Sequence, residues 1–570
     1  MSDGAESGSD PVEVELIRNG FRAAAEEASA ALYRSAHSPI IYEAKDCSVG
    51  VYDRDARLLG QAPGLPIFLG NLEGCIRAVT ERVGLDSYRD GDVFILNDSY
   101  LQGSHLTDIT VLAPIFFSGR LVAFTATRAD GGHLGGKDLG ISTNTRHIYE
   151  EGLRIPPLRL VSAGVLNEGL VDLLALNSLD HAARRGDLAA QIAACRTGGA
   201  RVQALYRRYG AARIGAAAAE IFRQSQRLDA EAVRAIPDGV YRAEGHLDSD
   251  GVDDGPVPVR VKVTIAGDRF DIDLAGSSPQ RRGPVNSGRI QAVSACRLAF
   301  KELVNPNAEV TGGSFRNLGV AVPAGSVFDA REPAPCQWYY SPLGLLIDLV
   351  QEALAPAVPE RVSAAHFGDT MLVSFVGPAD SGRTPFVYIG AELGGWGGFA
   401  GGDGQDCMIN VINGDFKTLP VEFVERGFPL RVREWRLRPD SEGAGEFRGG
   451  LGGIKTFEVL REGTRLSAWL DRSTMPAWGL FDGESAIGPQ VVVNPGRPGE
   501  RSFTKVTDFE LHAGDLVSVR TGGGGGYGDP RRRSAPAVRC DVAEGLVSPE
   551  RAAAVYGLDG EKPDRGEASR

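Results

Sequence analysis

The sequence predicts a multidomain α+β protein with mixed and antiparallel sheets, a helical N-terminal region and a Gly-rich, β-rich C-terminal domain. Three observations carry that reading. The chain has 570 residues, too many for one hydrophobic core, and its length suggests about three to four domains. Hydrophobic periodicity changes along it, helical over 11–35 and 170–235 and alternating over 257–274. Its 74 glycines concentrate in the second half, where tight turns and close backbone approaches must be frequent.

Residues 1–9 are small and polar and are predicted to be a disordered tail. Asp10-Pro11-Val12-Glu13 reads as an N-cap, a proline at the first helical position and a first-turn glutamate. Ile17, Phe21, Ala24, Ala28 and Leu32 follow at helical spacing, which predicts an amphipathic helix of about six turns ending near Ser38-Pro39. Residues 43–53 alternate as a strand and turn into Leu58-Leu59. The runs 92–96, 109–117 and 121–126 are predicted strands, the last two joined by the Ser118-Gly119 turn. A helical pattern from Leu170 to Ala235 stops at Pro237-Asp238-Gly239. Val257, Val259, Val261, Val263 and Ile265 then alternate, Ala266-Gly267-Asp268 turns, and Phe270, Ile272 and Leu274 alternate back, a hairpin with one buried face. Short strands are expected over 304–329, 455–460 and 490–493, and helices over 344–355 and 548–556. The expected domains are 10–236, 237–384 and 385–530, with a tail over 531–570.

A hydrophobic share of 42% with 24% charge is ordinary for a soluble globular protein. No apolar run approaches the roughly 18 residues of a membrane span, and no signal-peptide core is present, so the expected compartment is the cytoplasm. A formal net charge of −13 argues against nucleic acid as the main partner, because phosphate binding draws on clustered positive charge. Seven cysteines without a C-x-x-C pair point to reduced thiols rather than a disulfide framework or zinc ribbon.

The chemistry concentrates around the polar turn 97–108, held between two strands, and the segment 128–136 that follows the next strand. His105, Asp108, Asp130 and His133 lie there, with Asp98 nearby. Imidazole nitrogen with carboxylate oxygen suits zinc, manganese or iron(II), and the alternative is a hydrogen-bonded polar cluster. Gly131 to Asp138 almost spells the P-loop G-x-x-x-x-G-K-S/T, but Asp138 replaces the hydroxyl and would repel phosphate, so a Gly-rich turn is the preferred reading. The glycine run 522–526 reads as a loop rather than an anion cradle, since no helix follows it. No G-x-S-x-G elbow and no Cys with an activating His support covalent acyl catalysis.

The stretch from Asn97 to Pro157, with His105-Leu106-Thr107-Asp108, Gly135-Gly136 and Glu151-Gly152-Leu153-Arg154-Ile155-Pro156-Pro157, resembles the hydantoinase B/oxoprolinase family, which includes the α subunits of acetone carboxylases. Further matching stretches run the length of the chain: Lys45-Asp46-Cys47-Ser48, Pro279-Gln280 with Gly283-Pro284, 394–398, Pro420-Val421-Glu422, 448–452 and 523–530. The resemblance implies a B-type subunit that works in a hetero-oligomer with an actin-like A-type ATPase. That partner would carry ATP and magnesium and phosphorylate the substrate carbonyl. The resemblance also implies a divalent metal (manganese, zinc or iron) held by Asp46, His105 and Asp108.

Where the family commonly carries His-His, this chain has Asp130-Gly131, which makes Asp130 the expected fourth ligand with His133 the other candidate. Where it often has a histidine between Pro and Leu-Gly, this chain has Phe68. A carboxylate in place of imidazole favours a harder ion. Asp98 and His133 are the expected catalytic groups. The leading expectation is a cyclic-amide hydrolase acting on hydantoin, oxoproline or a lactam. The alternatives are a ketone carboxylase subunit and a structural subunit with a degenerate metal site.

Overall fold

The structure is a computed structural model that describes residues 10–379 and 385–558. The predicted disordered tail 1–9 and the end of the C-terminal tail lie outside the described residues. The chain divides into two compact units, one of Met1–Ala353, Ser374–Gly390 and Val411–Pro420, the other of Leu354–Val373, Ala391–Asn410 and Val421–Arg570. The fold is α+β, with mixed and antiparallel sheets. Among the described residues no helix is long and apolar enough to cross a membrane.

The first unit is built on a seven-stranded sheet. Its strands are β1 (Cys47–Asp53), β2 (Leu58–Gln61), β3 (Val93–Leu96), β4 (Asp108–Phe117), β5 (Arg120–Asp130), β6 (Leu158–Ser162) and β7 (Val165–Leu166). They lie in the order β2-β1-β5-β4-β3-β6-β7, every neighbouring pair antiparallel. The β4–β5 hairpin turns at Ser118 and Gly119, both at positive φ (50° and 74°), as a two-residue hairpin turn requires.

Helices cover both faces of this sheet. Asp10 caps α1 (Pro11–Ser35) by accepting the Val12 N–H, and the helix stops short of Pro39 because a residue before proline is driven to extended backbone, here Ser38. The helix α2 (Leu72–Val83) was not foreseen from the sequence. The long segment α3 (His181–Arg234) is bent at Gly210, whose φ is 78°. Val14, Ile17 and Phe21 of α1 and Ile221 and Phe222 of α3 pack with Val51, Ile115 and Ala123 on one face. Leu72, Ile76 and Val79 of α2 pack with Tyr52, Leu112, Phe124 and Ala126 on the other.

Side chains alternate between the faces of a strand, so the α2 face of Tyr52, Leu112 and Ala126 is also the face of Asp46, Asp108 and Asp130. Asp108 pairs with Asp130 across β4 and β5, while Cys47 of β1 pairs with Ala129. Three carboxylates therefore come to adjacent strand ends on one face.

A second, four-stranded sheet consists of β8 (Gly239–Leu247), β9 (Val257–Ala266), β10 (Arg269–Asp273) and β11 (Leu318–Ala321). β8, β9 and β10 pair antiparallel and β10 with β11 parallel, which makes the sheet mixed. β9 buries every second residue, as its alternation predicts. The strands expected over 304–329 reduce to β11, the remainder being turns. The helix α4 (Arg289–Leu303) precedes them.

The second unit contains a five-stranded antiparallel sheet in the order Leu430–Leu437, Gly453–Val459, Leu516–Arg520, Gln490–Val493, Arg501–Phe503. Beside it, residues 522–526 form a loop, as read from the sequence, but an interior one. Residues 522–526 are buried, and the N–H groups of Gly523, Gly524, Gly525 and Gly526 are bonded to the carbonyls of Ile487, Gly450, Ala365 and Glu484. A Cβ on Gly524 would lie 1.9 Å from the Trp396 carbonyl oxygen. The run is an interior segment on which other backbones pack directly, which only glycine permits.

Candidate metal centre

The turn entering β4 is a built structure. Asp98 caps the short helix Ser99–Gln102 by accepting the Tyr100 N–H, and Gly103 ends it at φ 91°. Buried Asn97 staples the turn to the segment after it: its Nδ2 donates to the carbonyls of Leu106 (2.7 Å) and Leu153 (2.9 Å), and its Oδ1 accepts the Ile155 N–H (2.5 Å). Gln102 Nε2 donates to the Asp108 carbonyl at 2.8 Å, which fixes where β4 begins. His105 and Asp108 are thus held by hydrogen bonds on both sides.

His105 Nε2 lies 3.2 Å from Asp108 Oδ1 and 3.6 Å from Asp130 Oδ2. Ligand atoms of His105, Asp108 and Asp130 all fall within 4.8 Å of one another. The other ring nitrogen, Nδ1, sits 3.3 Å from the Gln337 carbonyl oxygen. A carbonyl can only accept, so Nδ1 carries a proton and Nε2 faces the carboxylates, the orientation a metal-ligating histidine needs. Edge-on contacts with Tyr339 (5.3 Å between ring centres) and Tyr340 (6.3 Å) hold the imidazole plane.

Both oxygens of Asp108 and Oδ1 of Asp46 are buried without a hydrogen-bond partner. Orphaned buried carboxylate oxygens are costly unless a cation or donor satisfies them. Asp130 differs: it accepts the Gly132 N–H (2.5 Å) and the Thr107 hydroxyl (3.2 Å). Burial alone would raise its carboxyl, but the His105 and Gly132 bonds hold it below the usual range. Burial, reinforced by the charges of Asp130 and Asp108, pushes Asp46 well above that range. Burial also works against the His105 imidazolium, yet Asp108 and Asp130 together outweigh it and raise His105 well above an ordinary histidine. Once deprotonated, His105, Asp108 and Asp130, with Asp46 beside them, form a donor set that fits a divalent cation.

Asp98 and His133 are placed differently. The Asp98 carboxylate is committed to Tyr100 and to Arg154, 2.9 Å away. His133 is half-buried with both ring nitrogens unpartnered, and burial together with the Arg184 cation keeps it below the usual histidine value. Arg184, on α3, reaches across the Gly131, Gly132 and His133 carbonyls (2.7, 3.3 and 3.3 Å) and so fixes the turn that follows Asp130. In the near-P-loop, Lys137 Nζ is bound to Asp138 (2.5 Å) and Asn144 (2.7 Å).

Three contributors were missed from sequence: Arg184, Tyr339 and Glu151. Glu151 accepts from the Thr145 hydroxyl (2.7 Å) and from the N–H groups of Cys336 (2.8 Å) and Gln337 (3.0 Å), so it positions Gln337, whose carbonyl orients His105. It lies in the Glu151–Pro157 stretch already noted, but nothing local in that stretch points to Gln337.

The family model of hydantoinase B/oxoprolinase matches residues 10–530. The chain belongs to the hydantoinase B/oxoprolinase family. Within it, the caprolactamase subunit beta of Pseudomonas jessenii is 30% identical, over 96% of this chain and 96% of that protein. The crystal structure of an ATP-dependent caprolactamase from Pseudomonas jessenii superposes with a TM-score of 0.89 at 28% identity, covering 97% of each chain. A nucleotide-free acetone carboxylase structure shares the fold, with a TM-score of 0.88 at 18% identity over 96% of this chain and 79% of that one.

Proposed function

We propose that this hydantoinase B/oxoprolinase family member is the metal-bearing B-type subunit of an ATP-dependent cyclic-amide hydrolase, acting with an actin-like A-type ATPase subunit in a hetero-oligomer. The observation that carries the proposal is the largely buried group of His105, Asp108 and Asp130 beside Asp46, with orphaned carboxylate oxygens and a histidine whose Nε2 faces them. The similarity to an ATP-dependent caprolactamase supports a lactam-like substrate.

His105, Asp108, Asp130 and Asp46 would hold the ion, and three oxygen donors to one nitrogen favour manganese or iron(II) ahead of zinc. When bound, such an ion supplies Lewis-acid chemistry: it acidifies water and stabilises negative charge on an activated carbonyl. The chain's own residues do the rest. Tyr339, whose hydroxyl is kept neutral by burial and by Asp108, Asp46 and Asp130, walls the site. His133, neutral and unpartnered, is the candidate proton acceptor. Asp98, already committed to Arg154, positions the turn that carries His105.

The test is co-purification with the A-type subunit, followed by a screen of hydantoins, oxoproline, lactams and ketones for ATP hydrolysis with and without bicarbonate. Ring opening coupled to ATP turnover is expected. A bicarbonate-dependent carboxylated product would overturn the hydrolase reading in favour of a carboxylase, and full activity in protein stripped of metal would overturn the metal.

A further inference from the structure

A cavity of about 660 Å³ opens in the first unit alongside β1. Its lining runs from Tyr52 at one end of the strand to Gly64, which packs on Cys47 and Ser48 at the other, and includes none of Asp46, His105, Asp108 and Asp130. Its volume is that of a small-molecule site. Leu58, Leu69, Leu298 and Phe315 supply apolar wall.

The charges around it do not cancel. Arg57, Arg77, Arg297, Lys301 and Arg316 line the cavity against Glu73, Glu302 and Asp415, an excess of cations in a chain of formal net charge −13. Arg57 is paired with Asp53 (2.7 Å), and Arg77 and Arg297 share Glu73 (3.0 and 3.4 Å). Arg316 donates to Gln226 Oε1 (3.0 Å) and makes no ion pair among the described residues, while Lys301 has only the charge of Asp229 acting on it. Lys301 Nζ and the Tyr52 hydroxyl are both buried without a hydrogen-bond partner, a costly arrangement in a structure that serves no ligand.

The wall is also strained and pinned. Phe315 holds φ 65°, a backbone state that a bulky residue adopts only where its surroundings impose it, and such residues cluster at ligand clamps. The Arg297 guanidinium, 5.3 Å from its ring centre, and Phe300, at 5.9 Å, keep it there. Gly312 donates to the Leu58 carbonyl (2.7 Å), Thr311 bonds the Ser225 hydroxyl (2.8 Å), and a Cβ on Gly313 would lie 2.0 Å from the Phe222 carbonyl oxygen. This loop is therefore fixed to β2 and α3 before any ligand arrives, as a preorganised site requires.

We propose that this cavity is a second ligand site, which takes a small organic carboxylate whose hydrocarbon body lies on Leu58, Leu69, Leu298 and Phe315 and whose charge is balanced by Lys301 and Arg316. A carboxylate is favoured over a phosphate because Glu73, Glu302 and Asp415 share the lining and repel a dense dianion more strongly than a single charge. None of the residues of the metal centre lines the cavity.

The experiment titrates the full-length chain with hexanoate, its neutral isostere hexanamide and butyl phosphate, followed by ligand-observed NMR. Hexanoate should bind, with hexanamide and butyl phosphate each weaker by about tenfold or more. Lys301→Met with Arg316→Met should weaken hexanoate by at least about tenfold while leaving the divalent-metal content unchanged. Arg316→Glu, at an exposed side chain that threatens no core, should weaken it in the same direction should the double variant fail to fold. Equal binding of hexanoate and hexanamide, tighter binding of butyl phosphate, undiminished affinity in Arg316→Glu, or absence of hexanoate binding would each overturn the proposal.

Discussion

Replacing Glu151 by Gln tests the link between a buried carboxylate and the orientation of His105. Glu151 Oε1 receives the Thr145 hydroxyl and the Gln337 N–H, and Oε2 receives the Cys336 N–H. A carboxamide keeps one acceptor oxygen, so its NH₂ must face at least one of these donors, at a cost of about 1–3 kcal/mol. The Gln337 peptide is then released, and with it the carbonyl 3.3 Å from His105 Nδ1. Loss of such an outer partner lowers metal affinity by about 10–100-fold.

Burial pushes the Glu151 carboxyl up to about 7, partly opposed by its hydrogen bonds. Because the folded value lies above the unfolded one, near 4.5, this residue's contribution to stability is fully present below about pH 4.5 and is lost as pH rises through about 7. The full swing is about 3 kcal/mol. Gln does not titrate, so wild type should lose up to about 3 kcal/mol of stability relative to the variant between pH 5 and pH 8. Calorimetric metal titration and thermal unfolding at both pH values measure the two effects. Wild-type metal affinity together with a stability difference independent of pH would refute the reasoning.

His105→Ala should abolish stoichiometric metal binding and turnover while near-ultraviolet circular dichroism stays native, because one polar side chain at a strand entry holds little core together; metal analysis of the purified variant checks this. The isolated chain should show no magnesium-dependent ATPase activity, since Asp138 stands where a P-loop hydroxyl would and Lys137 is already bound to Asp138 and Asn144; a phosphate-release assay decides it. Gly524→Ala should destabilise the second unit by about 3 kcal/mol or more, its Cβ meeting the Trp396 carbonyl oxygen at 1.9 Å, with loss of soluble protein as the readout. Gly215→Ala, at an exposed position in α3 with nothing within 4 Å of the added carbon, should instead stabilise by about 0.5–1 kcal/mol in chemical denaturation.

Local signals determined much of this protein. The Asp10 cap and proline placed the start of α1, the alternation over 257–274 placed the β9–β10 hairpin, and the turn chemistry of Ser118-Gly119 placed β4 against β5. In each case a few neighbouring residues carry the whole energetic preference. The motifs around His105 and Asp108 marked the site and the family for the same reason, because the turn that presents them is built from contiguous residues.

What required the tertiary structure was every relation across the chain. Asp46 reaches the site only because β1 pairs with β5, and Gln337 orients His105 from 232 residues away. That the glycine loop 522–526 lies in the interior is defined by the backbones packed on it, which no local pattern records. The turn placed the hairpin but did not decide its register. Phe117 opposite Arg120 would, by simple counting, set Asp108 opposite Ala129, but a register shift between Ile115 and Phe116 sets it opposite Asp130. Because strand side chains alternate with a period of two, that single bulged residue decides whether the third carboxylate faces His105 or the opposite side of the sheet.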